Sequence, residues 1–255
     1  MMRVKLRNNR HHRDNVRGNR TQTMAIDNAG AKYPGPFRGE PESLFERCSW
    51  FYAFCREHLF HDHTAAISHA LWPCARPGPD THLLEIACGP GFYACRLAQR
   101  YPDIQITGVD LSDRLLSRAK DRADIRHLKN CRFIKANVLA LSQSLDPVDA
   151  IIASRFLMVA GDRPQALQEI FSALRPGGRC FIAEPTSALR AALPHSCMWL
   201  FARLMGDWST RFHEPGRAAV MNRHEFRSLI ASQPWRTVSL WQDHWYQYAV
   251  CDRSC

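Results

Sequence analysis

The sequence lacks any apolar run long enough to cross a bilayer. Stretches such as Ala150 to Ala153 are short, and none approaches the ~20 residues that a spanning helix needs. It also lacks a Cys-x-x-Cys pair, although it holds 10 cysteines. Cys88, Cys95, Cys131, Cys180 and Cys251 sit inside apolar patterns. That spacing argues against a zinc ribbon, and for reduced thiols used as small hydrophobes in a cytoplasmic protein. The amino-terminal arm has no apolar core of the kind a secretory signal carries. Acidic residues are almost missing from residues 1–23, where Arg3, Lys5, Arg7, Arg10, Arg13, Arg17 and Arg20 face Asp14 alone. This arm carries most of the net charge of +10. Such an arm suits nucleic acid or an anionic membrane surface, a solvated extension, or a translation start that truly lies at Met24, and the sequence leaves these open. No internal repeat is present.

What is present is ordinary globular usage. In 255 residues, 45% are hydrophobic and 23% charged, which excludes a disordered tail, a collagen and a small disulfide scaffold. The chain is long enough for one large domain with a sizeable core. Residues 1–40 read as a basic arm and a loop rich in glycine and proline. Residues 41–255 read as one domain: a helical cap over 42–72, a core over 80–185, an inserted aromatic cap over 186–221, and a helix and hairpin over 222–255.

Periodicity supplies the elements. Leu44, Phe45, Cys48, Phe51, Tyr52, Cys55 and Leu59 recur at three- and four-residue steps, which predicts a helix over Glu42 to Phe60. A second short helix runs from Thr64 to Trp72. Beyond the Pro73–Pro79 linker, apolar strand runs at His82–Ala87, Ile104–Val109, Cys131–Lys135, Val148–Ala153 and Cys180–Ala183 alternate with helices at Phe92–Arg100, Ser112–Asp124 and Pro164–Leu174. The last of these helices is expected to stop at Pro176-Gly177-Gly178. Alternation of this kind predicts a parallel sheet with helices on both faces, binding its ligand outside the carboxyl ends of the strands. Ser187 to Met205 reads as helical, Asn222 to Ser232 as a helix capped by Asn222, and Arg236–Asp243 with Tyr246–Asp252 as a terminal hairpin.

The strongest chemical signal is Leu83-Leu84-Glu85-Ile86-Ala87-Cys88-Gly89-Pro90-Gly91-Phe92-Tyr93. A buried strand is followed by a Gly-x-Gly turn and a helix, and the glycines let the backbone turn sharply and a ligand come close. Glu85 sits near the strand end, where a cationic ligand group suits it better than a pyrophosphate does. The next strand ends in Gly108-Val109-Asp110-Leu111-Ser112. A carboxylate there can accept both hydroxyls of a ribose, and Leu111 can cover an adenine. The bland reading of Asp110 is a helix cap.

Together with Leu174-Arg175-Pro176-Gly177-Gly178-Arg179 and the strand ending Glu184-Pro185, these motifs resemble the class I S-adenosylmethionine-dependent methyltransferases. The resemblance covers Thr81 to Pro185, with a looser match onward. It implies an α/β fold, a doubly wound seven-stranded, mostly parallel sheet with an antiparallel C-terminal hairpin strand and a helical cap. It implies S-adenosyl-L-methionine as cofactor, with Glu85, Ala87, Gly89 and Gly91 around its methionine end. Asp110 would hold the ribose, Leu111 the adenine ring, Asn137 the adenine amino group through its carbonyl oxygen, and Ser154 would line the site. Tyr52 would reach the cofactor carboxylate. Arg155 stands where many relatives carry a less polar residue, and reads as a substrate-anion anchor or a surface ion-pair member.

The resemblance implies methyl transfer to an oxygen, nitrogen or carbon of a small metabolite. The expected partner is a small-molecule acceptor, and the chain is expected as a monomer or homodimer. An Asn/Asp-Pro-Pro-Tyr motif, typical of nucleic-acid amino methyltransferases, is absent, which argues against base methylation. Methylation of RNA or protein through the basic arm, and a non-catalytic cofactor-binding module, are the alternatives. Sulfonium chemistry needs alignment more than acid–base machinery, so His195, His213 and His58 stand as weak candidate bases, beside His61, His63 and His224. Cys55, His58, His61 and His63 have the look of a metal cluster, but ordinary amphipathic spacing accounts for them and no metal is expected.

Overall fold

The apolar runs at His82, Gln105, Val148 and Cys180 can only be buried on both faces, and the sheet places them at its centre. In the computed structural model, residues 47–74, 76–187, 191, 196–198, 200, 203 and 219–255 are described. The elements in chain order are α1 (Ser49–His58), α2 (Thr64–Leu71), β1 (His82–Ile86), α3 (Phe92–Arg100), β2 (Gln105–Asp110), α4 (Asp113–Ile125), β3 (Cys131–Lys135), a 3-10 helix (Val138–Gln143), β4 (Val148–Ser154), α5 (Arg163–Ala173), β5 (Leu174–Pro185), α6 (Arg223–Ile230), β6 (Thr237–Gln242) and β7 (Tyr246–Asp252).

The seven strands lie in the order β3-β2-β1-β4-β5-β7-β6. β1 to β5 are parallel, and β7 runs antiparallel between β5 and β6. β1 therefore pairs with β2 on one side and β4 on the other, which is the point where strand order reverses and a crevice opens. Alternate residues of β1 feed opposite cores. Leu84 and Ile86 join α5, α6 and the 3-10 helix through Leu167, Ile170, Phe226 and Leu141. Leu83 joins α2, α3 and α4 through Ile67, Leu97 and Leu116. Each such fully buried aliphatic contributes about 1.5–3 kcal/mol from removal of its surface from water.

Local signals set several boundaries as expected. Ser112 accepts from Leu115 N and starts α4. Asn222 and Glu225 form a reciprocal capping box at α6. Two boundaries and one element differ in ways that bear on the sheet and the site. α1 ends at His58, so His61 leaves the helix face that Cys55 and His58 were expected to share with it. α5 ends at Ala173, because Leu174 already pairs with Val148, and Pro176-Gly177-Gly178 forms a bulge inside β5. Pro176 disfavours helix at Arg175, and Gly177 turns the chain at φ +76°. The 3-10 helix was not anticipated. Residues 42–46, and most of the expected inserted cap, lie outside the described residues. All 10 cysteines are free thiols.

Candidate active site

β1 leaves the sheet through Ala87, Gly89 and Gly91, whose φ values are +49°, +51° and +69°. The turn closes with Gly91 N donating to Cys88 O at 3.0 Å, and Cys88 N ties it to β2 by donating to Val109 O at 2.9 Å. The two glycines face different surroundings. A Cβ on Gly91 would lie 2.8 Å from Phe133 Cζ and 2.9 Å from Ala119 Cβ, so the core demands this glycine. A Cβ on Gly89 would meet Tyr52 Cε1 at 3.2 Å, so the α1 tyrosine lies over this part of the turn.

Asp110 joins the ends of β1 and β2. Its Oδ2 accepts from Gly89 N at 2.8 Å and its Oδ1 from Ser112 N at 2.9 Å. A carboxylate at such a strand end is the group that accepts hydroxyl donors of a sugar. Leu111 follows with 60% of its surface exposed, an apolar side chain beside a polar strand end. Asn137 is exposed and caps the 3-10 helix, its Oδ1 accepting from Leu139 N at 3.0 Å. The oxygen expected to receive an adenine amino group thus already has one local donor.

Glu85 is buried, on the same face of β1 as Leu83, and its Oε2 accepts from Ala94 N at 2.7 Å. Burial pushes its carboxyl up to about 8, against the Ala94 N–H and the nearby Arg56, which favour the charged form. Glu85 therefore supports the first turn of α3. Glu184 plays a similar part on the other side. Its Oε1 accepts from Phe156 N and Leu157 N at 2.9 and 2.7 Å, and its Oε2 from Met158 N at 3.2 Å. Burial raises it to about 7 against those donors and Arg155. It fixes the loop after β4, where Arg155 has a left-handed backbone at φ +58°. Arg155 lies 4.3 Å from the Phe60 ring centroid, and its Nη1 donates to Tyr246 Oη at 3.4 Å.

A layer of rings and cations packs beside the turn. Arg56, on α1, is 7% exposed, with its guanidinium 3.9 Å from the Phe92 ring centroid and 4.4 Å from that of Tyr93. Its Nη1 and Nη2 have no hydrogen-bond partner. His63 is 1% exposed and both ring nitrogens lack a partner. Burial, with His61 and Arg56 adding to it, lowers His63 to about 3 and keeps the imidazole neutral. Tyr93 Oη accepts from His63 N and donates to His61 O, each at 3.4 Å, and Ser154 hydrogen-bonds the same phenol. Burial also raises the Tyr52 phenol, with Arg155 and Arg56 opposing and Asp110 reinforcing the shift.

The structure thus gathers Tyr52, Glu85, Ala87, Gly89, Gly91, Asp110 and Leu111 around one turn, with Ser154 nearby at the end of β4. His58 is exposed and packs on Phe54, ring centroids 4.8 Å apart, on a different face of α1 from Tyr52 and Arg56. His195 and His213 lie outside the described residues. Sequence reasoning passed over Arg56. Its one signal was a lone cation in the aromatic stretch Phe51-Tyr52-Ala53-Phe54 onward. Among the described residues, no group of three metal-ligating side chains gathers.

Comparison with known proteins gives a consistent picture. A family model described as a methyltransferase domain matches residues 77–250. Trans-aconitate 2-methyltransferase of Yersinia pestis is 29% identical over 164 residues, 64% of this chain and 60% of that protein. The chain thus spans about three fifths of the length of that curated relative. A 2-phytyl-1,4-naphtoquinone methyltransferase of Nostoc is 37% identical over 115 residues, 44% of this chain and 49% of that one. Magnesium protoporphyrin IX methyltransferase from Synechocystis, solved with bound SAH, shares the fold at a TM-score of 0.57 and 15% identity, over 82% of this chain and 96% of that one.

Proposed function

The chain belongs to the methyltransferase-domain family matched over residues 77–250, and from that premise we propose that it transfers a methyl group from S-adenosyl-L-methionine to an oxygen, nitrogen or carbon nucleophile of a small molecule. The observation that carries this reading is the Asp110 carboxylate at the crevice beside β1, tied to Gly89 of the turn, with Leu111 exposed next to it. The residues fit the cofactor. Gly89 leaves a cradle that a Cβ would fill, Asp110 places a carboxylate of the kind that accepts ribose hydroxyls at the strand end, and Leu111 offers an apolar face for a purine. When bound, the cofactor supplies a methyl group activated by its sulfonium.

The chain's own residues then have three tasks. Asp110 and the turn fix the position of the cofactor's nucleoside. Tyr52, Phe60 and Tyr246 wall the strand ends with rings and exclude water, which favours in-line transfer between aligned groups. Arg155, held beside Phe60 and Tyr246, faces the acceptor side at the end of β4. The named relatives act on small organic molecules by their printed names, which supports a small-molecule acceptor. No helix among the described residues is long and apolar enough to cross a membrane. We place the activity in the cytoplasm, in one domain over residues 41–255 preceded by an arm over 1–40.

Calorimetric titration tests this reading. The full chain should bind S-adenosylmethionine and not NADH, and Asp110→Ala should weaken binding by roughly 10- to 100-fold, as loss of a charge-assisted pair of hydrogen bonds does. Absence of S-adenosylmethionine binding sinks the proposal.

A further inference from the structure

Arg155 follows the end of β4 in a strained and firmly held conformation. Its backbone is left-handed at φ +58°, a cost that a non-glycine residue carries only where the surroundings impose it. Here the surroundings do. Arg155 N donates to Ala183 O at 2.8 Å, and Glu184 accepts from the next three amides, those of Phe156, Leu157 and Met158. The side chain is half-buried, lies against the Phe60 ring and donates to Tyr246 Oη. No ion pair between described residues includes it. Of the two roles that the sequence leaves open, a surface ion pair therefore has no counterpart among the described residues. Glu184 feels the charge of Arg155, but its oxygens are held by backbone amides and burial raises it to about 7.

The place is rich in donors and poor in acceptors. A guanidinium offers only donors, and a phenol offers one beside its acceptor oxygen. Nη1 of Arg155 is met by Tyr246 Oη, while Nε and Nη2 meet no described acceptor. Tyr246 is 6% exposed, and its oxygen accepts from Arg155 while its own O–H reaches no described acceptor. A planar guanidinium edge with a phenol O–H beside it matches a carboxylate, which takes parallel N–H bonds and keeps lone pairs for the hydroxyl.

The sheet puts these donors at the crevice. Ile86 pairs with Ala153, so β1 and β4 end side by side, and the turn leaves β1 next to Ser154 and Arg155. Asp110 ends β2, on the other flank of β1, so the two charged groups border the crevice from opposite sides. A run of rings spans the distance between turn and cation. Tyr52 Cε1 lies 3.2 Å from a Cβ placed on Gly89, the Tyr52 and Phe60 ring centroids are 6.1 Å apart, and Arg155 lies 4.3 Å from the Phe60 centroid. Tyr246 reaches the same spot from β7, where it pairs with Pro185 at the end of β5.

We propose that the methyl acceptor is a small carboxylic acid, its carboxylate bound by Arg155 and the Tyr246 O–H and its apolar part laid along Phe60 and Tyr52. The inference rests on the cofactor reading above and names the class of acceptor for that site. Rings around the ion pair keep water from screening it. Anchoring one end of the acceptor fixes where its nucleophile stands.

Two matched pairs of probes test it: cinnamate with cinnamamide, and hexanoate with hexanamide. Each is titrated into the full chain by ligand-observed NMR in the presence of S-adenosylhomocysteine. Wild type should prefer the acid in at least one pair by roughly 10-fold. Arg155→Gln should abolish the preference, Tyr246→Phe should lower it while keeping the ring, and Arg155→Lys should keep part of it. Calorimetry should show Arg155→Gln binding S-adenosylmethionine as wild type does. Melting temperature identifies a variant that has merely failed to fold, and the wild-type preference needs no variant. No preference for the acid in either pair overturns the proposal, as does a preference that survives Arg155→Gln. An Arg155→Gln protein whose S-adenosylmethionine affinity falls with that for the acid also overturns it, by placing the arginine on the cofactor. Inorganic phosphate that displaces cinnamate more strongly than acetate does would move the site to phosphate esters and overturn the carboxylate class. Binding of S-adenosylmethionine that depends on Asp110, beside equal affinity for acid and amide, sinks this inference and leaves the cofactor reading standing.

Discussion

At the scale of single residues, two glycines of one turn do separate work. Gly91 has φ +69° and no room for a Cβ against Phe133 and Ala119. Gly91→Ala combines a left-handed backbone, about 1–2 kcal/mol, with overpacking, about 1–3 kcal/mol. It should lose roughly 2–5 kcal/mol of stability in denaturant unfolding. Gly89→Ala carries the backbone cost, but its new methyl meets only the edge of the Tyr52 ring. It should lose about 1–2 kcal/mol of stability, and its larger effect should be weaker cofactor binding in calorimetry. Equal stability losses would contradict this division. The sequence showed both glycines as one motif. It could not show that one faces the core and the other Tyr52, because Phe133 comes from β3 and Tyr52 from α1. Arg56 escaped notice for the opposite reason. A charge on an amphipathic helix reads as a solvated one, and only the packing of α3 against α1 reveals it as buried.

At the scale of elements, legibility followed locality. The caps of α4 and α6 were readable, because Ser112 and Asn222 satisfy donors two or three residues away. The end of α5 was not, because Leu174 becomes strand by pairing with Val148, a partner distant in sequence. The 3-10 helix after Asn137 left no amphipathic period to detect, since such helices are short and tight. The parallel part of the sheet and the terminal hairpin agreed with the reading of five apolar runs alternating with helices, and the count of seven strands agreed with what the resemblance implied. The capping box of α6 makes a quantitative case. Asn222 accepts from His224 N and Glu225 N, both at 2.9 Å, while Glu225 accepts from Asn222 N at 2.9 Å. Asn222→Ala should cost about 1 kcal/mol in denaturant unfolding. Cofactor affinity should not change, since α6 packs on the side of the sheet that carries α5.

At the scale of the whole molecule, three buried titratable groups give stability a pH dependence of definite sign. Glu85 and Glu184 are raised to about 8 and about 7 by burial. In both, the folded state holds its proton where the unfolded chain has released it. Their contribution is complete below the ordinary carboxylate value of about 4.5 and is lost as pH rises through 7 and 8. His63 acts oppositely. Lowered to about 3, it contributes fully above its ordinary value of 6.5 and loses that contribution as pH falls toward 3. The two trends oppose each other between about 4.5 and 6.5, whereas above 6.5 only the glutamates still act. The melting temperature should therefore fall between about pH 6.5 and 8.5. Glu85→Gln keeps a side-chain oxygen for Ala94 N and removes the ionisation, so its melting temperature should fall less over that interval than wild type. Its affinity for the cofactor separates this effect from the site's own chemistry, because a group that mainly props the first turn of α3 should change stability more than binding. Parallel wild-type and Glu85→Gln curves from pH 6.5 to 8.5 would show that the carboxyl is already ionised beneath the turn, and would move the origin of the pH dependence to Glu184 and the loop it holds after β4.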